Sequence, residues 1–164
     1  MSEFPNVDLT KLPKTVEGEV LESYIDVMGH MNVAWYTDFF SQAMLGLYRH
    51  LGFELDDAAG SGMGSFALET HVRYFREVRL GEQVEIYSRF IARNEKRVHV
   101  MNFMWNKSRK QISASFEVVS MSMDMAKRTP TPFAVDVGIQ MDSMVAAHKK
   151  LEWEAPLCGV MGIR

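Results

Sequence analysis

The chain has 164 residues, 47% of them hydrophobic and 24% charged, with a net charge of −3 and a pI of about 6.0. Such a chain can bury a full single-domain core. The lack of basic bias argues against nucleic acid or an anionic membrane as partner, and no apolar run approaches the roughly 18 residues of a membrane-crossing helix. The one cysteine, Cys158, excludes an internal disulfide and any cysteine-rich metal cluster. Residues 1–8 lack the basic start and apolar run of a secretory leader, so a cytoplasmic location is expected.

Residues 1–14 are polar with two prolines and read as an extended arm. Residues 15–25 carry Val16, Val20, Leu21 and Ile25 among acids, a strand pattern. Then comes Tyr24-Ile25-Asp26-Val27-Met28-Gly29-His30-Met31-Asn32-Val33-Ala34-Trp35-Tyr36, a polar cluster between a strand and a helix. Tyr36, Phe39, Phe40, Ala43, Met44, Leu47, Tyr48 and Leu51 follow at helical spacing. Gly52 ends that helix as a left-handed residue, with Arg49 and His50 where cations suit the dipole. The glycine-rich, acidic linker 54–65 predicts a mobile loop.

Four strands are predicted next. Phe66 to Phe75 alternates; Val84, Ile86 and Phe90 mark a second strand; 98–105 is apolar apart from His99 and Asn102. From Ile112 to Met125 the alternation changes phase at Val118-Val119, which predicts a β-bulge or a strand buried on both faces. Pro130 and Pro132 stop the sheet, and 139–151 has weaker helical spacing. The layout is α+β: an arm at 1–14, a domain at 15–135 with a long helix wrapped by one curved antiparallel sheet of about five strands in meander-like succession, and a C-terminal helix and tail at 136–164. The open sheet edges predict a homodimer or homotetramer.

The cluster carries the chemistry. Asp26 closes a strand, Gly29 lets the chain turn or a ligand approach, and Asn32 is placed to cap the helix through the N–H of Ala34 or Trp35. Free N–H groups in the first helical turn suit a developing oxyanion. A carboxylate beside them could act as nucleophile or general base on a carbonyl, and His30 could exchange a proton. The plainer alternative is a helix-entry turn in which the same residues only cap and pack.

Asp26-x-x-Gly29-His30-Met31-Asn32 with Tyr36 and Phe40 resembles the signature of the hot-dog fold thioesterases of the 4-hydroxybenzoyl-CoA thioesterase type. The segments 68–75, 80–84 and 128–132 agree with that family in order. The resemblance implies an acyl-CoA thioesterase in which Asp26 attacks the thioester carbonyl or activates water, while the backbone N–H of Val33 polarises the carbonyl oxygen. Many relatives carry a second asparagine at the position of Val33, a change that a backbone role tolerates. No cofactor or metal is implied, coenzyme A being part of the substrate; Asp26 and His30 alone make a poor metal site.

Other candidates weigh against plain structural roles. Glu69 could hold the attacking water and His71 could orient Asp26, or both could lie on a solvated or interface strand face. Arg73, Arg76, Lys96, Arg97, Lys127 and Arg128 could meet CoA phosphates, or be ordinary surface charge. His99 and Asn102 read as satisfied core or interface groups. Trp35, Trp105, Trp153 and Tyr36 could bind a quaternary ammonium group through their rings, or anchor the core. Within the family, 68–71 and 96–99 look similar to the modules of carnitine and betaine breakdown that act on betainyl-CoA. The competing functions are an acyl-CoA-binding module without turnover and a hot-dog enoyl-CoA hydratase.

Overall fold

Helix α1, Val33–His50, forms where the apolar spacing predicts it, and buries Tyr36, Phe39, Phe40, Ala43 and Leu47 on one face. Its end is also as expected: Gly52 sits at φ 79° and its N–H donates to the Arg49 carbonyl at 2.9 Å. In the computed structural model, residues 7–52 and 62–163 are described. The remaining elements are β1 Lys14–Glu19, β2 Met63–Tyr74, β3 Gln83–Arg93, β4 Arg97–Asn106, β5 Gln111–Asp124, β6 Thr129–Pro130 and α2 Val135–His148.

The strands form one sheet in the order β1-β3-β4-β5-β2, with β6 on β5. This corrects the meander in one respect: β2 pairs with β5 at the far edge, not with its sequence neighbour β3. β1 runs antiparallel to β3 with Val16 opposite Ile86 and Gly18 opposite Val84. The strand expected at 15–25 stops at Glu19, because Glu22–Tyr24 wind into a 3-10 turn and Ile25 keeps only a bridge to Met31. Part of the predicted arm is also structured: Leu9–Lys11 form a 3-10 turn, and Leu9 and Leu12 are buried. The linker expected at 54–65 lies outside the described residues as far as residue 61, and Met63 already opens β2. No bulge is needed at Val118-Val119, since β5 is buried on both faces there.

The chain divides into two compact units. The first comprises Met1–Leu47, Val72–Ser88 and Asn102–Phe116. Within it α1 lies close on the sheet: a Cβ on Gly46 would stand 2.1 Å from the Thr15 carbonyl oxygen, so only glycine permits this approach. Phe40 stacks on Phe116 with ring centroids 5.1 Å apart. Asn102 is a satisfied core group, as expected: its Oδ1 accepts from the Ser88 hydroxyl at 2.6 Å.

The second unit comprises Tyr48–His71, Arg89–Met101 and Glu117–Arg164. Here α2 starts at Val135, four residues ahead of the predicted 139 and ends at His148. Gly138 inside its first turns weakens the sequence signal; a Cβ there would stand 3.4 Å from the Arg93 guanidinium. Buried His148 accepts the Phe90 N–H at its Nδ1, 2.9 Å away. Burial, then the nearby Arg89 and His50 charges, push its pKa down from 6.5 to about 4. The unfolded chain therefore binds this proton more readily, and the stabilisation is present above pH 6.5 and lost as pH falls towards 4. The expected loss is up to about 3 kcal/mol between those limits. Denaturation curves at neutral and acid pH check it: in His148→Asn, whose Oδ1 replaces the Nδ1 acceptor, the pH dependence over that window flattens.

Candidate functional site

The polar cluster folds as a fastened loop within the first unit. The Asp26 N–H donates to the His30 carbonyl at 3.1 Å, and the Gly29 N–H to the Asp26 carbonyl at 3.0 Å. Gly29 has φ 81°, a conformation that a side chain disfavours. The Met31 N–H is held by the Val78 carbonyl at 2.8 Å and the Asn32 N–H by the Tyr24 carbonyl at 2.9 Å. Val27 and Met28 therefore project into solvent at the loop tip. Asp26 turns its side chain back: Oδ1 accepts the Met28 N–H at 2.8 Å and lies 3.9 Å from His30 Nδ1.

Asn32 is the cap that its position predicts, with Oδ1 accepting the Ala34 N–H at 2.9 Å. Its carbonyl accepts the Trp35 N–H at 3.0 Å. The Val33 N–H opens the helix with no acceptor among the described residues, as expected for a first-turn donor whose neighbours are already capped. Val33 and His30 line the same open groove of about 370 Å³, with Met31, Tyr36, Tyr74, Phe75, Arg76 and Glu77 as its other walls. The Tyr36 hydroxyl accepts the Val78 N–H at 3.1 Å, and burial raises its pKa to about 12, so it stays a neutral wall. Tyr36 and Tyr74 meet edge to face at 5.2 Å.

Asp26, Gly29, His30, Asn32, Val33 and Tyr36 are thus gathered in one unit. Of the other aromatic candidates, Trp35 stacks on Tyr24 at 4.0 Å, and Trp153 already carries the Arg89 guanidinium over its ring at 4.1 Å. Arg73 lies over the Phe75 ring at 5.1 Å. Glu69, His71, Lys96, Arg97 and Arg128 belong to the second unit. Glu69 is exposed on β2, while His71 is half-buried. Lys96 and Arg97 follow a tight turn in which Asn94 Oδ1 accepts both of their N–H groups, at 3.0 and 2.8 Å, and both line a surface groove with Pro130. Arg128 is exposed at φ 57°.

His99 is a satisfied core group, its Nε2 lying 2.9 Å from Glu117 Oε1. Sequence reasoning missed Glu117 itself. The available signal was a single acid inside the otherwise apolar and small run 112–123 of β5. It also missed Tyr74, Phe75 and Glu77 as groove walls, because where β2 ends against the loop is not written in its alternation.

The fold and the family match together define a thioesterase-type protein. The chain belongs to the thioesterase-like superfamily, whose family model matches residues 20–142, and its fold is the hot-dog fold. It is 26% identical over 155 residues to the betainyl-CoA thioesterase of Pseudomonas aeruginosa, covering 94% of this chain and 98% of that one. It is 22% identical over 139 residues to the L-carnitine dehydrogenase/betainyl-CoA thioesterase of Rhizobium meliloti, covering 85% of this chain and 28% of that larger protein. Among solved structures, a Staphylococcus aureus protein in complex with CoA superposes with a TM-score of 0.80 at 20% identity, over 93% of this chain and 97% of the other. A DHNA-CoA thioesterase from the same species gives 0.72 at 19% identity, over 80% and 89%.

Proposed function

We propose that the chain is an acyl-CoA thioesterase whose substrate is betainyl-CoA or another small acyl-CoA, with Asp26 as its reacting carboxylate. The observation that carries the mechanism is the Val33 N–H at the start of α1, without an acceptor among the described residues and on the groove that His30 also lines. A thioester carbonyl oxygen resting on that donor gains negative charge as the carbon becomes tetrahedral, and the helix dipole favours it. Asp26 either attacks the carbon, giving an acyl-enzyme anhydride that water then opens, or takes a proton from an attacking water. In both routes the C–S bond breaks, CoA leaves as the thiol, and the acyl group leaves as the acid. His30, within reach of Asp26, is suited to pass the proton to the leaving sulfur. The reaction needs no cofactor beyond the CoA of the substrate.

The betainyl reading draws on the two relatives named for that activity and on the aromatic walls Tyr36, Tyr74 and Phe75 with Glu77. Ring faces and a carboxylate both attract a trimethylammonium group. Thiol release from a panel of betainyl-, acetyl-, benzoyl- and medium-chain CoA, with a protein-only blank for Cys158, tests the assignment. Betainyl-CoA is expected to be the best substrate; turnover no faster than that of acetyl-CoA removes it. CoA-ester binding without free thiol would instead favour a binding module. The basic residues Arg73, Lys96, Arg97 and Arg128 are assigned to the CoA phosphates on charge alone.

A homodimer, or a dimer of dimers, is the proposed assembly, and β2 supports it. It is an edge strand and leaves Phe66, Leu68 and Tyr74 exposed, a combination that soluble chains cover by pairing. Light scattering is expected to give a dimer or tetramer for the wild type and a shift towards monomer for Leu68→Glu; a monomeric wild type would remove the assignment. No helix among the described residues is long and apolar enough to cross a membrane. The cytoplasm, where acyl-CoA is made and used, is the proposed location.

A further inference from the structure

In the second unit three residues far apart in sequence bring donor atoms together. His71 lies on β2, Glu117 on the adjacent β5, and Cys158 on the segment that follows α2. An imidazole nitrogen, a carboxylate oxygen and the thiol sulfur all lie within 4.8 Å of one another, and no other three such donors do so among the described residues. Glu117 is fully buried, where a carboxylate must be partnered. Its Oε1 lies 2.9 Å from His99 Nε2 on β4, and its Oε2 accepts the Cys158 backbone N–H at 2.7 Å. That second bond ties the cysteine's own backbone to the carboxylate, and Gly159, at φ 81°, turns the chain away directly afterwards. Each carboxylate oxygen still has a lone pair to offer.

We propose that His71, Glu117 and Cys158 form a binding site for a divalent cation of the zinc type, with His99 orienting the carboxylate from behind. Zinc accepts nitrogen, oxygen and sulfur donors together, and three protein ligands leave a fourth position for water. The thiolate selects against magnesium and calcium, which prefer oxygen. A cysteine nucleophile activated by His71 is the competing use of the same residues. It needs Glu117 to hold the imidazole, whereas the bonds of Glu117 go to His99 and to the Cys158 backbone. A single cysteine rules out a cysteine-rich cluster but not a mixed donor set such as this. A bound ion would clip the C-terminal segment to β2 and β5, a role separate from thioester chemistry.

The test is a Co²⁺ titration of the full chain after chelator treatment, kept reduced. A thiolate-to-cobalt absorption in the near ultraviolet is expected, saturating at one ion per chain and displaced by Zn²⁺. It is lost in Cys158→Ser and in His71→Ala. His99→Leu weakens Zn²⁺ binding about 10- to 100-fold, as loss of an outer-shell partner does. A second readout needs no variant: Zn²⁺ protects Cys158 of the wild type from alkylation, whereas Mg²⁺ does not. The proposal is overturned by a wild type that shows no saturable band, by a band undiminished in Cys158→Ser or His71→Ala, or by alkylation that proceeds equally with and without Zn²⁺.

Discussion

Replacing Asp26 by asparagine is expected to lower kcat/KM for the best acyl-CoA by about a thousandfold or more, which is roughly 4 kcal/mol of transition-state stabilisation. The change is nearly isosteric. The amide oxygen can still accept the Met28 N–H that Oδ1 accepts at 2.8 Å, so the Asp26–Gly29 turn keeps its internal bond. What disappears is the negative charge, and with it the nucleophile or general base proposed for Asp26. Thiol release by wild type and variant, together with thermal midpoints that agree to within a degree or so, checks the claim. A variant that retains activity within about a factor of ten of the wild type, at the same stability, would move the chemistry to another carboxylate. Glu69 is the first to examine. The two routes open to Asp26 separate over repeated turnover in heavy-oxygen water: direct attack, with water then opening the anhydride at the Asp26 carbonyl, places solvent oxygen in the enzyme carboxylate, whereas a general base leaves it unlabelled.

Phe40→Ala is expected to cost about 3–5 kcal/mol of folding stability. Phe40 is 0% exposed and stacks on Phe116 at 5.1 Å, on the face of α1 that meets the sheet of the first unit. Truncation removes a full ring from close packing and leaves a cavity whose lining loses its contacts. Against a typical total of about 5–15 kcal/mol, a loss of this size is a large part of the whole. Leu45 lies on the same helix but is 43% exposed, so Leu45→Ala is expected to stay near the ±0.5 kcal/mol of an ordinary surface change. Urea midpoints for the pair measure the difference directly. A cost below about 1.5 kcal/mol for Phe40→Ala, the range of a mere volume-conserving swap, would mean that this helix face is not the packed one.

What could be read from the sequence follows from the range of the forces involved. The bounds of α1, its Asn32 cap and its Gly52 stop are set by residues within four places of one another, and all three are found where the spacing puts them. The same holds for the Asp26-to-Asn32 loop, where one glycine with positive φ and one Asx-type bond determine the turn. Where burial is two-sided, local pattern falls silent: the alternation in β5 changes phase at Val118-Val119, where both faces are covered. The pairing of β2 with β5 in preference to β3 depends on which apolar surfaces can be buried together across long loops, a global competition that no short window records. By itself, then, the sequence determined the helix, its capped entrance and the carboxylate beside it. Only the tertiary structure decided that Tyr74, Phe75 and Glu77 wall the groove at that entrance and that His71, Glu117 and Cys158 meet. Those contacts join positions tens of residues apart, and they exist only once the sheet has assembled.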